Sequence, residues 1–101
     1  LNWQEIIKLQ DIDQLRQAVQ TLDINQQDER GRTPLMLLIT NRSSLDTIQL
    51  LLEQQPDLEI EDRLGHTALK KAIKFKQNAA ITALIAAGAK LDSEQGILFT
   101  P

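Results

Sequence analysis

Chemistry needs particular side chains close together, and this chain holds few of them. It has one histidine, His66, and no cysteine. A catalytic pair needs a nucleophile or carboxylate set beside the imidazole, and a zinc site needs several ligands. Neither requirement is met around His66, which reads as an ordinary polar contact. The carboxylates Asp57, Glu59, Glu61 and Asp62 lack the internal glycine and terminal glutamate of a calcium loop, so they read as a solvated hairpin. Gly31, Gly65, Gly88 and Gly96 have neither phosphate-loop nor dinucleotide spacing and serve turns. Lys70, Lys71, Lys74 and Lys76 form a basic cluster behind the acidic run. They read as the polar face of an amphipathic helix, the alternative being a dipolar surface that orients a charged partner. Phe75 is the single aromatic among them, and the formal net charge is −3, so nucleic acid is not the expected partner. No cofactor and no metal is implied, and no enzyme is expected.

With no catalytic constellation, the supporting elements become informative. The 101 residues, 42% apolar and 25% charged, give one globular domain. A chain of this size buries roughly 60–70% of its extended surface, leaving little room for a deep pocket. Its apolar runs reach only five residues, as in Leu35-Met36-Leu37-Leu38-Ile39, far short of the roughly 20 residues that cross a bilayer, so no membrane partner is expected. No signal peptide is visible, and the lack of cysteine fits a reducing, cytoplasmic compartment. A start at Leu1 rather than Met reads as an excised or processed piece.

Sliding the sequence against itself reveals repeats. Asp28-Glu29-Arg30-Gly31-Arg32-Thr33-Pro34-Leu35 aligns with Asp62-Arg63-Leu64-Gly65-His66-Thr67-Ala68-Leu69 at an offset of 34. The unit ends, Ile48 through Leu58 and Ile81 through Leu91, align at 33. The extra residue therefore falls near Asn41-Arg42-Ser43-Ser44, where turn formers make an insertion cheap. Leu22-Asp23-Ile24-Asn25 is the tail of an earlier unit, and Thr100-Pro101 matches Thr33-Pro34. The expected organisation is an N-terminal capping repeat over 1–27, repeats over 28–61 and 62–94, and the start of a further repeat over 95–101.

Each unit predicts two short helices and a loop. Thr33 caps a helix with Pro34 in its first position, where a missing N–H is harmless. Ser44 caps a second helix carrying Leu45, Ile48, Leu51 and Leu52, and Pro56 stops it. Thr67 caps a helix to about Lys74, and a helix with Ile81, Leu84 and Ile85 runs to Gly88, a left-handed cap. Asp23-Ile24-Asn25 and Asp57 through Glu61 predict short extended arms turning through Asp-x-x-Gly. Trp3, Ile6, Ile7 and Leu9 predict the core of a capping helix.

The 33-residue period, Gly-x-Thr-Pro-Leu, the paired helices and the Gly88-Ala89 tail together resemble the ankyrin repeat. The resemblance runs through Asp28, Gly31, Thr33, Pro34, Leu35, Leu51, Leu52, Asp57 and Leu58. It recurs at Asp62, Gly65, Thr67, Leu69, Ala72, Leu84, Ile85, Gly88, Ala89 and Leu91. The sequence departs from the family at Met36 and Lys70, where a histidine is usual, and at Leu38 and Ile39, where small alanines are usual. Gln55-Pro56 stands for Gly-Ala, and Leu98 for a glycine. The implied fold is an all-α repeat solenoid, with helix-turn-helix units and β-hairpin-like loops forming an extended slab without a cleft.

What the resemblance implies about function is a non-catalytic module that binds a partner protein through hairpin tips and the concave face of the first helices. In the repeat phase the tips are Gln27, Glu29, Arg30, Arg32, Glu61, Arg63, Leu64 and His66, and the first-helix positions are Thr40, Asn41, Lys74 and Phe75. Leu64 and Phe75 stand out because folding the repeat does not require apolar residues there. The alternatives are a dedicated inhibitor of an enzyme, of the immunity-protein or antitoxin type, and a regulatory or effector segment of a longer protein, including one delivered into a host cell. The glutamine-, leucine- and isoleucine-rich style points to a bacterial source. The unfinished repeat at 95–101 predicts either a longer array or self-association through the last apolar face.

Overall fold

The computed structural model of the chain describes residues 2–90. They form six helices: α1 (Trp3–Leu9), α2 (Ile12–Thr21), α3 (Pro34–Thr40), α4 (Leu45–Leu52), α5 (Ala68–Lys74) and α6 (Asn78–Ala86). Helices of seven to ten residues are too short to hold together alone in water, so packing must stabilise them. Each packs on its sequence neighbour, as α1 with α2, α3 with α4, and α5 with α6. The pairs then stack into two layers, with α1, α3 and α5 in one and α2, α4 and α6 in the other.

Caps define where the helices start. Asn2, Thr33, Ser44 and Thr67 each accept a hydrogen bond from the backbone N–H three residues on, and Asp11 accepts from Asp13. The caps expected at Thr33, Ser44 and Thr67 are thus in place, with Pro34 at the first position of α3. Helix α6 is different. It follows Gln77, whose side chain makes no capping bond and instead donates its amide to the carbonyl of Ile39 in the preceding unit.

The core runs unbroken along the stack. Met36, Ile39, Ile48, Leu51, Leu69 and Leu84 are almost wholly enclosed, and Trp3, Ile6 and Ile7 close the N-terminal end. The Trp3 indole N–H donates to the Asp23 carbonyl at 2.8 Å, fixing the first arm against α1. Leu9, expected in that core, is 57% exposed. It is the last residue of α1 and precedes Gln10, whose positive φ of 54° turns the chain away.

Between units the chain forms turns, and no strand is assigned among the described residues. The arms are joined by side chains instead. The Asn25 Oδ1 accepts from the backbone N–H of Asp57 at 2.8 Å, and one repeat later a Glu59 carboxylate oxygen accepts from Lys90 N–H at 3.2 Å. Two different residues therefore fill one structural role at equivalent positions. The readings for Leu91, Gly96, Leu98 and the repeat start at 95–101 lie outside the described residues.

Candidate partner-binding surface

Each loop tip is built around one aspartate. Asp28 N–H donates to Arg32 O and Gly31 N–H to Asp28 O, both at 2.9 Å. The Asp28 carboxylate accepts from the N–H groups of Arg30 and Arg32, from the Arg32 guanidinium at 2.9 Å and from the Gln4 amide at 3.0 Å. The second tip repeats this frame, with Asp62 N–H to His66 O, Gly65 N–H to Asp62 O, and the Asp62 Oδ1 accepting from Leu64 and His66 N–H. Its cation comes from elsewhere. Position 66 is histidine, and the Lys71 ammonium on α5 reaches Asp62 at 2.7 Å.

This pair corrects two expectations. Asp62 and Lys71 were placed on solvated faces, yet both are buried, with side chains only 3% and 9% exposed. The physical reason is register: Lys71 occupies the place of Leu37 one repeat earlier, an inward position that is also buried. A charge at that depth requires a counter-ion, which Asp62 supplies. Burial alone would raise the Asp62 carboxyl. The Lys71 hydrogen bond, the His66 and Leu64 N–H groups and the Lys71 charge outweigh it and hold the carboxyl below its ordinary value. Asp28 behaves likewise, with burial overcome by bonds from Arg32, Arg30 and Gln4.

The two tips are held together. Arg63 N–H donates to Arg30 O at 3.0 Å, and the Gln27 amide bridges the carbonyls of Gly31 at 2.9 Å and Glu61 at 3.1 Å. Gly31 lies at the contact, with φ of +78°, where an added Cβ would meet Arg63 N at 3.0 Å and the Asp62 Cα at 3.1 Å.

On this frame Gln27, Glu29, Arg30, Glu61, Arg63 and Leu64 are exposed, and Leu64, at 76%, is the most exposed large apolar residue described. Asn41 and Lys74 are also exposed, while His66 and Thr40 are half-buried. Arg32 is half-buried and committed to Asp28. Phe75, singled out as an exposed apolar position, is half-buried against the core, with the Lys74 ammonium 5.9 Å from its ring centroid. Residue phase does not show that Phe75 caps α5 and packs against the core.

The slab is also less flat than expected. A recess of about 410 Å³ opens between α1 and the first tip, floored by Trp3, Pro34 and Leu37 and edged by Gln4, Glu29 and Arg32. Gln4 was missed because it looked like one polar residue on the wet side of α1. Its only signal was that Asp28, one unit later, needed another donor. No helix among the described residues is long and apolar enough to cross a membrane.

Stacked helix pairs joined by turn-built tips define a repeat scaffold. The model for "Ankyrin repeats (3 copies)" matches residues 5–95, and the chain belongs to the ankyrin repeat family, whose repeats are protein-interaction modules. It is 47% identical over 51 residues to Rabankyrin-5 of Mus musculus, a match covering 50% of the chain and 4% of that protein. It also resembles a chain in the complex of the Bd0816 predatory endopeptidase from Bdellovibrio bacteriovorus with immunity protein Bd3460. That match has a TM-score of 0.79 and 34% identity, covering 89% of this chain and 47% of the other. The sequence given thus spans a small fraction of one relative and about half of the other. One comes from a mammal and one from a bacterium, so kinship does not choose a source.

Proposed function

We propose that the chain is a non-catalytic module that binds a partner protein through its loop tips and concave first-helix face, with Glu29, Arg30, Arg32, Asn41, Glu61, Arg63, Leu64, His66, Lys74 and Phe75 forming the surface. The observation that carries this reading is the exposed Leu64, standing on a tip whose backbone is tied to the preceding tip through Arg63 N–H and Arg30 O. Arginine is enriched at interface hot spots, and an exposed apolar neighbour held on a tied backbone offers area for a partner to desolvate. Within the surface Arg32 and Phe75 act mainly as supports. A cytoplasmic setting accords with the cysteine-free sequence.

The test is affinity purification from the source organism with the full-length protein, followed by quantitative binding of the identified partner. Combined Arg63→Ala, Leu64→Ala and Lys74→Ala substitution should weaken binding by over about 1 kcal/mol with an unchanged circular dichroism spectrum. Full affinity in the triple variant would remove this surface from consideration.

A second reading, a dedicated enzyme inhibitor, draws on the similarity to a chain in an endopeptidase–immunity protein complex. A one-to-one complex with a single enzyme, accompanied by loss of that enzyme's activity, would favour it. Partners without enzymatic activity would count against it.

A further inference from the structure

Resting on the module reading above, we infer that the two tips take an acidic segment of the partner protein, with carboxylates held by Arg30 and Arg63 and an apolar side chain laid on Leu64. The Arg63 N–H to Arg30 O bond of 3.0 Å fixes these arginines one beside the other on adjacent tips. Both are exposed, and neither is in an ion pair among the described residues. Like charges set side by side on neighbouring backbone segments are unfavourable, and no counter-ion pairs with either among the described residues.

The two tip aspartates are committed to other donors. Asp28 is spent on Arg32 and Gln4, and Asp62 on Lys71. Glu29 borders the recess on the α1 side, and the Glu61 carboxylate lies 3.9 Å from where a Cβ on Gly65 would stand. The outer edge is left with two guanidiniums, whose planar forks suit carboxylates in paired geometry, and with Leu64, 76% exposed, directly after Arg63.

A short acidic peptide segment fits this arrangement better than a polyanion. The net charge of −3 disfavours an extended phosphate backbone, and no base-stacking platform is present at the described tips, since Trp3 is buried and Phe75 packs on the core.

The experiment is selection of a displayed random peptide library on the folded chain, with binding of recovered peptides measured on wild type, Arg30→Gln/Arg63→Gln, Leu64→Ser and Arg16→Gln. Arg16 is an exposed control on α2. Recovered peptides should carry Asp or Glu beside an apolar residue, lose about tenfold in affinity on the double arginine variant, weaken on Leu64→Ser and keep full affinity on Arg16→Gln. Enrichment of neutral or basic peptides, or equal binding to the double variant, overturns the acidic-segment inference while leaving the module reading intact. An oligothymidylate that binds more tightly than the recovered peptides overturns it too. Failure to recover any binder overturns the module reading itself.

Discussion

The Lys71 ammonium lies 2.7 Å from the Asp62 carboxylate, and the pair links the first turn of one loop tip to the middle of the helix that follows it. In the previous unit the same aspartate position is neutralised within its own tip, by Arg32. Moving the cation from the loop to the helix makes the second tip depend on α5 for its electrostatic balance. The tip that carries Arg63 and Leu64 is thereby anchored to the α1–α3–α5 layer.

That dependence predicts an asymmetric mutational cycle. Lys71→Leu installs the residue found at the equivalent position 37 but leaves Asp62 charged, buried and short of its cation. Loss of about 3 kcal/mol or more is expected, a large share of the stability of a chain this small. Asp62→Asn should be milder, because an amide oxygen can still accept from Leu64 and His66 N–H, and Lys71 can extend toward water. The double variant Asp62→Asn/Lys71→Leu should return to within about 1 kcal/mol of wild type. Urea denaturation followed by circular dichroism measures all three. Equal losses in the two single variants, with no recovery in the double, would contradict the pairing.

Both Asp28 and Asp62 are held below the ordinary carboxylate value, which fixes the sign of the acid response. A group whose pKa is lower folded than unfolded stabilises fully above its unfolded pKa, about 3.9 for aspartate. That stabilisation is lost as pH falls through the folded value. These two groups should leave stability level from neutral pH to about pH 5 and erode it progressively below about pH 4. Asp62→Asn should make the acid limb shallower in urea midpoints taken from pH 7 to pH 2. An unchanged slope would show that Asp62 is not a source of the acid sensitivity.

Much of this architecture is legible in the sequence, because the information lies in chain-local chemistry. Thr33-Pro34, Ser44 and Thr67 mark helix starts through caps that use neighbouring residues alone, and the repeat offsets of 34 and 33 align the units. What stayed hidden depends on contacts between units. Lys71 looked like one of four solvated lysines because its counter-ion is nine residues away in another element. Phe75 looked exposed because phase assigns a face but not the fold-back of a capping residue. The Gln4–Asp28 and Gln77–Ile39 bonds join residues that no local pattern pairs.

Trp3 provides an internal probe. It is the single tryptophan of the chain, 4% exposed, and its indole N–H bonds to Asp23 O at 2.8 Å. Its fluorescence should be blue-shifted in the folded state and move to the red on unfolding. Trp3→Phe keeps an aromatic ring but forfeits the bond and some packing, and should cost about 1–3 kcal/mol. Thermal denaturation by circular dichroism reads the loss. An unaltered melting temperature would mean that the first arm does not need this tie.

The two tip glycines separate backbone conformation from inter-repeat contact. Gly31 and Gly65 have nearly the same φ, +78° and +79°, so alanine at either should incur a similar left-handed penalty of about 1–2 kcal/mol. Their surroundings differ. A Cβ at 31 would press on the backbone of the next tip, 3.0 Å from Arg63 N, whereas at 65 its nearest neighbour is the Glu61 side chain at 3.9 Å. Backbone cannot swing aside as a side chain can, so Gly31→Ala should displace the Arg63 backbone by a few tenths of an ångström and strain its N–H bond to Arg30 O. Gly31→Ala should therefore destabilise more than Gly65→Ala, by about 1 kcal/mol or more. Amide hydrogen exchange should show faster exchange at Arg63 in Gly31→Ala and little change there in Gly65→Ala. Equal destabilisation with unchanged Arg63 protection would mean that the tips are not packed against each other, and that the arginine pair is not held in place.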